Sequence, residues 1–402
     1  MTTAIIIALC SLLLFAYIFD ISASKTRIPS VILLLLLGWG VRQVAYFLEL
    51  NVPDLVPTLP IIGTIGLILI VLEGSLDIEL DKSKRLLIIQ SIVMAFLSIL
   101  IICTGLTFIF QYVGHTTYKI ALLNAIPLAI ISSAIAIPSS RNLNKNKKEF
   151  IIYESSLSDI FGVIFFNFIL LNENIGSIES IQTFFLQIII IIMISFGATI
   201  ALAFLLSKIK HHVKYTPIIL LTILFYSISK AYHLPSLIFI LVFGLYLGNI
   251  SKLNYIKQLV KIHSDILDKE VLKFKELTTE FSFLIRSLFF LLFGYLMETS
   301  DILNIDTITW AIGITVCIYL IRLMLLKICN IPLKFVLYIA PRGLITILLF
   351  LSIPLSQSIE IVNKSMIIQV VLLTAFIMMF GLIKTKSEVN TENSAGSDTM
   401  IS

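Results

Sequence analysis

Glu154-Ser155-Ser156-Leu157-Ser158-Asp159 places two carboxylates and three hydroxyls inside an apolar run from about Phe150 to Leu171. At about 1.5 Å of rise per residue, a helix of that length crosses a bilayer. Each carboxylate carried into hydrocarbon costs roughly 2.5–3.5 kcal/mol on insertion scales, so such residues mark function by default. Successive residues turn by about 100°, which puts Glu154, Ser155, Ser158 and Asp159 on one face and leaves the opposite face nearly all apolar. Asp159 lies about nine residues into the run, roughly 13–14 Å deep and close to the midplane. A carboxylate flanked by hydroxyls at that depth can hold a proton or a small hard cation, which prefers oxygen ligands. The blander alternative is a polar patch that only glues helices together. Serines alone would serve that end without burying a carboxylate.

Two interrupted segments accompany this face. Residues 118–138 carry Pro127 and Pro138 around the pair Ser132-Ser133, and residues 332–355 carry Ala340-Pro341-Arg342-Gly343. Proline frees a carbonyl, and a freed carbonyl in a membrane must be paired or must line a hydrated cavity. Broken helices at corresponding places in two halves point to a transporter site at a repeat interface; ordinary proline kinks are the alternative. No repeat is visible letter by letter.

Charges at depth suggest partners. Arg322 and Glu154 sit within roughly 5 Å of one another in depth, so the sequence predicts a buried ion pair between their helices and leaves Asp159 as the titrating carboxylate. Arg286 supplies a fixed positive charge near the site or pairs with Glu73; the sequence does not choose. Arg342 is a further charge partner, and Arg42 snorkels to an outer end. The histidines, His115, His211, His212, His233 and His263, fall in or near loops.

These elements must come from a polytopic membrane protein. The 402 residues are 58% hydrophobic and 13% charged, with mean hydropathy +1.04, whereas soluble domains carry about 25% charged residues. Thirteen spans are expected, at 4–21, 28–47, 59–78, 86–111, 118–138, 150–171, 184–207, 216–231, 235–250, 277–298, 308–329, 332–355 and 366–386. Nearly all loop Lys and Arg fall in the odd connections, with only Lys119, Lys230 and Lys364 in the even ones. The positive-inside rule then puts the odd loops and the C-terminus in the cytoplasm and the N-terminus outside, in a plasma (inner) membrane. The first span reads as retained, not as a signal peptide. Ser251 to Glu280 reads as an amphipathic surface helix linking two halves, and 387–402 as a disordered tail. The net charge of +5 reflects loop placement and not a nucleic-acid footprint. Cys10, Cys103, Cys317 and Cys329 lie in or beside spans without paired spacing, so neither a disulfide frame nor a zinc site is expected.

The motif at 154–159 resembles the Glu-Ser-Leu-Leu-Asn-Asp motif of monovalent cation:proton antiporters of the sodium/proton exchanger type. Ser132-Ser133-Ala134 stands where that family has Thr-Asp-Pro, and looks closer to the Ser-Ser-Thr-Ala of the glutathione-gated potassium-efflux branch. Arg322 in Tyr319-Leu320-Ile321-Arg322-Leu323 matches the family arginine that pairs with the span 6 glutamate. Pro341-Arg342-Gly343 resembles its Arg-Gly step in span 12. Ser158 replaces the family's Asn or Asp, and the span 5 aspartate is absent. The resemblance covers roughly 1–386. It implies an all-α fold with inverted repeats and broken crossing spans 5 and 12. It also implies a homodimer in which a core (about 86–171 and 308–386) moves against a dimerisation domain (about 4–78 and 216–298).

On that resemblance Asp159 exchanges H⁺ for Na⁺, or for K⁺ or Li⁺, with Ser158, Ser155, Ser132 and Ser133 around it and no cofactor. One free carboxylate makes electroneutral one-for-one exchange the simplest stoichiometry. Arg286 would serve as charge partner in an electrogenic scheme. A membrane-embedded transferase would need sizeable hydrophilic loops or an interfacial His/Asp cluster, and a channel or uniporter would fit the same spans.

Overall fold

The computed structural model describes residues 2–384 apart from 27, 50, 51, 53, 81, 141, 142, 209–212, 233, 250–263 and 334. The described residues form an all-α fold: α1 (Thr2–Thr26), α2 (Ser30–Phe47), α3 (Thr58–Asp77), α4 (Arg85–Gly114), α5 (Tyr118–Ala129), α6 (Ser133–Ser139), α7 (Lys145–Leu171), α8 (Ile178–Lys208), α9 (Tyr215–Ala231), α10 (Leu237–Gly248), α11 (Ser264–Leu296), α12 (Thr299–Ile302), α13 (Ile305–Ile328), α14 (Leu344–Leu351) and α15 (Lys364–Lys384). Among the described residues ten spans are long and apolar enough to cross a membrane, with α5 and α6 together making one of them. The helices α9 and α10 are apolar but shorter.

Caps start the helices that carry the site. Asn144 Oδ1 accepts from the Lys147 amide at 3.1 Å to open α7, and Asn304 Oδ1 accepts from the Asp306 amide at 3.0 Å to open α13, each satisfying a donor the helix cannot.

The helices pack in two groups. The first holds α2, α3 and α10 with α11, and α8 against α10; the second holds α4–α7 with α13 and α15. Small residues set the closest approaches. A side chain at Gly38 of α2 would collide with the α11 backbone at Leu291 and Tyr295, and one at Gly294 of α11 with the α2 backbone at Leu35.

One expectation is extended and one corrected. The break expected at Ala340–Gly343 within residues 332–355 begins earlier: Asn330 (φ 54) and Phe335 (φ 72) lie in the left-handed region, and the chain turns helical only at Leu344. Pro341 removes a backbone donor and biases Ala340 toward extended backbone, which delays the helix. The described part of 251–280, from Ser264 on, is not a separate surface helix. It belongs to α11, which runs unbroken into the next span because no Gly or Pro interrupts it before Gly294. Residues 250–263, the tail 387–402, and His211, His212, His233 and His263 lie outside the described residues.

Candidate functional site

The site forms where two interruptions cross. Between α5 and α6, Ile130, Ile131 and Ser132 leave the helical conformation, and in a membrane their backbone groups need partners. Side chains and backbone from remote segments supply them. The Ile131 amide donates to Ser158 Oγ at 3.0 Å, and the Ser132 amide donates to the Pro341 carbonyl at 2.9 Å. Arg342 donates from Nε to the Leu128 carbonyl at 2.9 Å, from Nη2 to Ala129 at 3.3 Å, and from Nη1 to Ala340 at 2.7 Å. A guanidinium on the carbonyl end of α5 also answers that end's partial negative charge.

Asp159 faces the opened segment and is 1% exposed. Its Oδ2 accepts from the Ser133 amide at 3.3 Å and from the Ser133 hydroxyl, so the carboxylate lies at the first turn of α6, where helix amides favour negative charge. Its Oδ1 has no hydrogen-bond partner, and neither does Ser132 Oγ. Neither Asp159 oxygen accepts from a basic side chain. A buried carboxylate without a cation costs several kcal/mol, so a proton or a metal ion is the natural complement.

The other predicted residues divide by position. Ser155 Oγ turns back onto its own helix, donating to the Ile151 carbonyl at 2.7 Å. Ser158 holds the Ile131 amide and is an anchor for the opened backbone. Glu154 meets Arg322 in a two-pronged pair, Nη1–Oε1 at 2.7 Å and Nη2–Oε2 at 2.9 Å, both side chains buried. Arg322 also donates from Nε and Nη2 to the Val336 carbonyl at 3.1 and 2.9 Å, and so braces the irregular segment. Arg286 is 5% exposed on α11 and Glu73 half-buried on α3. These helices run antiparallel, with Gly66 at Ile285 and Asp77 bonded to Lys275, so Arg286 is level with about Gly66. That is roughly 10 Å along the axis from Glu73. Arg42 bonds Glu298 at 3.1 Å at one end of α2.

Sequence reasoning missed two things. Arg342 caps a helix end, a role signalled only by a basic residue inside a proline-broken segment. Ser156, with an unpartnered buried Oγ, lies against Gly74 of α3.

Beyond Asp159, a cleft of about 330 Å³ opens among Asn167 and Phe168 of α7, Asn172 just past its end, Thr183 and Gln187 of α8, and Pro235.

The sequence matches the family described as sodium/hydrogen exchanger, transmembrane, over residues 10–384. The chain belongs to this family. It is therefore an integral membrane protein of the cation:proton antiporter superfamily. Its fold is similar to that of the sodium proton antiporter MjNhaP1 from Methanocaldococcus jannaschii at pH 8, with TM-score 0.67, 19% identity, and coverage of 94% of this chain and 99% of that one. A second structure of MjNhaP1 matches with TM-score 0.65 and 20% identity over 97% of each chain. No curated protein matches. The exchanger thus shares a fold with an antiporter whose sequence has diverged widely.

Proposed function

We propose that this exchanger is a secondary-active antiporter that trades Na⁺, or K⁺ or Li⁺, for H⁺ by alternating access, with Asp159 as the shared site. The observation that carries the reading is the buried Asp159 carboxylate, one oxygen tied to Ser133 and the other without a hydrogen-bond partner; the Ser132 hydroxyl of the same opened segment is also without one. A proton neutralises the carboxylate, and so does a hard monovalent cation that adds Ser132 Oγ and neighbouring oxygens to its shell. The two cannot share the site, which couples their movements.

In this reading the α4–α7 and α13–α15 group is the moving core, and the α1–α3 and α8–α11 group is the scaffold through which two copies dimerise. Odd loops face the cytoplasm of a plasma membrane. Glu154 and Arg322 hold the core together, and Arg342 keeps the crossing open without entering the cation shell. A single titrating carboxylate gives one-for-one exchange.

The test is proton flux in liposomes with an internal pH dye. Adding Na⁺, Li⁺ or K⁺ outside acid-loaded vesicles should raise the internal pH, and Asp159→Asn should abolish the response. Full activity in that variant would remove Asp159 from the mechanism.

A further inference from the structure

Several basic side chains at the basic-loop end of the molecule are answered by the protein itself. Lys84 Nζ lies 2.8 Å from Glu149 Oε1 and 3.2 Å from Glu79 Oε2. Lys214 pairs with Glu270 and Lys275 with Asp77, and Lys147 sits over the Phe335 ring, 4.6 Å from its centre. Lys327 and Lys384 differ. Each is exposed in the last turn of its helix, α13 and α15. Neither ammonium has a hydrogen bond or an ion pair among the described residues. The sequence of α15 holds no acidic residue, and the one in α13, Asp306, stands at the opposite end, about 30 Å away along the axis.

The two helices run side by side in the same direction. Thr307 Oγ1 donates to Gln369 Oε1 at 2.9 Å near their starts, and Tyr319 Oη donates to the Thr374 carbonyl at 3.3 Å further on. Lys327 lies eight residues past Tyr319 and Lys384 ten past Thr374, so the two lysines are level to within about one turn. Helical spacing puts Lys327 on one face with Leu320 and Met324, and Lys384 on one face with Phe380. These three apolar side chains are exposed, and in a membrane such a face meets lipid. Packed helix axes lie about 8–10 Å apart. Two ammonium groups on flexible four-carbon stems therefore reach a common point from either side of the groove.

We infer that the groove between α13 and α15 holds one anionic phospholipid at its basic end. Its phosphate lies between Lys327 and Lys384, and its acyl chains run along Leu320, Met324 and Phe380. Two like charges with no carboxylate between them repel, and a phosphate compensates both. Basic pockets between helices at headgroup depth select anionic lipids in this way. Plain snorkelling, the alternative, takes each lysine to water and gives no preference among lipids. The inference does not depend on Asp159. The lipid nevertheless rests on helices that serve the site, since α13 carries Arg322 and Thr374 Oγ1 of α15 accepts from the Arg342 amide at 3.0 Å.

The experiment counts bound lipid. The full-length protein in a neutral detergent is titrated with phosphatidylglycerol or phosphatidylcholine and followed by native mass spectrometry. Phosphatidylglycerol should bind the parent more tightly than phosphatidylcholine does. Lys327→Gln and Lys384→Gln should each weaken that binding about fivefold and together about 25-fold, from roughly 1 kcal/mol per basic residue at a membrane surface. Lys145→Gln, an exposed lysine at the start of α7 and outside the groove, should leave it unchanged. Arginine at both groove positions should restore it, which separates lost charge from lost folding.

That pattern upholds the inference. Unchanged affinity in the double glutamine variant would place the lipid elsewhere. An equal loss in Lys145→Gln would reduce the effect to diffuse attraction by a basic surface. Displacement of phosphatidylglycerol by inorganic phosphate at equal concentration would make the groove a site for a soluble anion. Each of these three results overturns the lipid site.

Discussion

Arg342 Nε donates to the Leu128 carbonyl at 2.9 Å, so the guanidinium of one broken crossing sits on the carbonyl end of the other. Its remaining nitrogens reach Ala129 and Ala340, and all three carbonyls belong to buried residues. Arg342→Lys keeps the charge but replaces a planar fork with a single point. It should lower stability by about 2 kcal/mol or more, since unsatisfied buried carbonyls cost about 1–3 kcal/mol each. Thermal unfolding in detergent reads this directly; a lysine variant as stable as the parent would show that the fork does not matter.

Asp159→Asn should leave the protein folded, because an amide at this place buries no charge. It should also lose cation-induced stabilisation. For the parent, a cation at a hundred times its dissociation constant adds about 2.7 kcal/mol, visible as a rise in melting temperature. A variant that still gains the full shift would place the cation elsewhere.

Glu154→Gln leaves Arg322 buried and uncompensated, at a cost of about 3–5 kcal/mol. Exchanging the two charges should recover only part of this. A carboxylate at position 322 would face the Val336 carbonyl, which now accepts twice from Arg322. A double-mutant cycle measures the recovery, and complete restoration would mean that Val336 is irrelevant to the pair.

Ser158→Ala should act on stability and hardly on cation affinity. The Ile131 amide loses its acceptor, which costs about 1–3 kcal/mol for a buried donor. A large fall in affinity at unchanged stability would make Ser158 a ligand instead.

Lys84 lies outside the spans. Its hydrogen bond to Glu149 raises its pKa above the ordinary 10.5; burial opposes this, and Glu79 adds to the rise. A raised value in the folded state means that the bridge contributes fully below about pH 10.5 and is lost only as pH climbs through the higher folded value. The stability difference between the parent and Lys84→Met should accordingly stay flat between about pH 5 and 9. A step inside that window would show that other groups govern this contact.

The architecture and the carboxylate were legible because their signal is local. An apolar run with Asp159 at mid-depth announces itself, and charges at matching depth identify Glu154 and Arg322 before any coordinates. The opened backbone was harder. Pro127 and Pro138 flag a disturbance, yet the helix opens at Ile130–Ser132, between them, where Ser158 and Arg342 hold it. Ser158 reads from the sequence as a candidate ligand, whereas its hydrogen bond from the Ile131 amide joins residues 27 apart and is not visible there. The break in span 12 was legible at Ala340–Gly343, but not its start, which the left-handed residues Asn330 and Phe335 place further back. What was missed depends on partners distant in the chain, which no window of sequence contains.

That distance has a consequence for how the protein is made. The Leu128 carbonyl and its guanidinium partner are separated by 214 residues. At about 5–20 residues per second, roughly 10–40 s pass during synthesis between the two. Through that interval Ile130–Ser132 lacks its brace, and lipid tolerates no unpaired backbone. The newborn segment must therefore enter as an unbroken helix or shelter within the insertion machinery. The crossing opens only when the last third of the chain arrives, which makes the proposed ion site among the last parts of the molecule to mature.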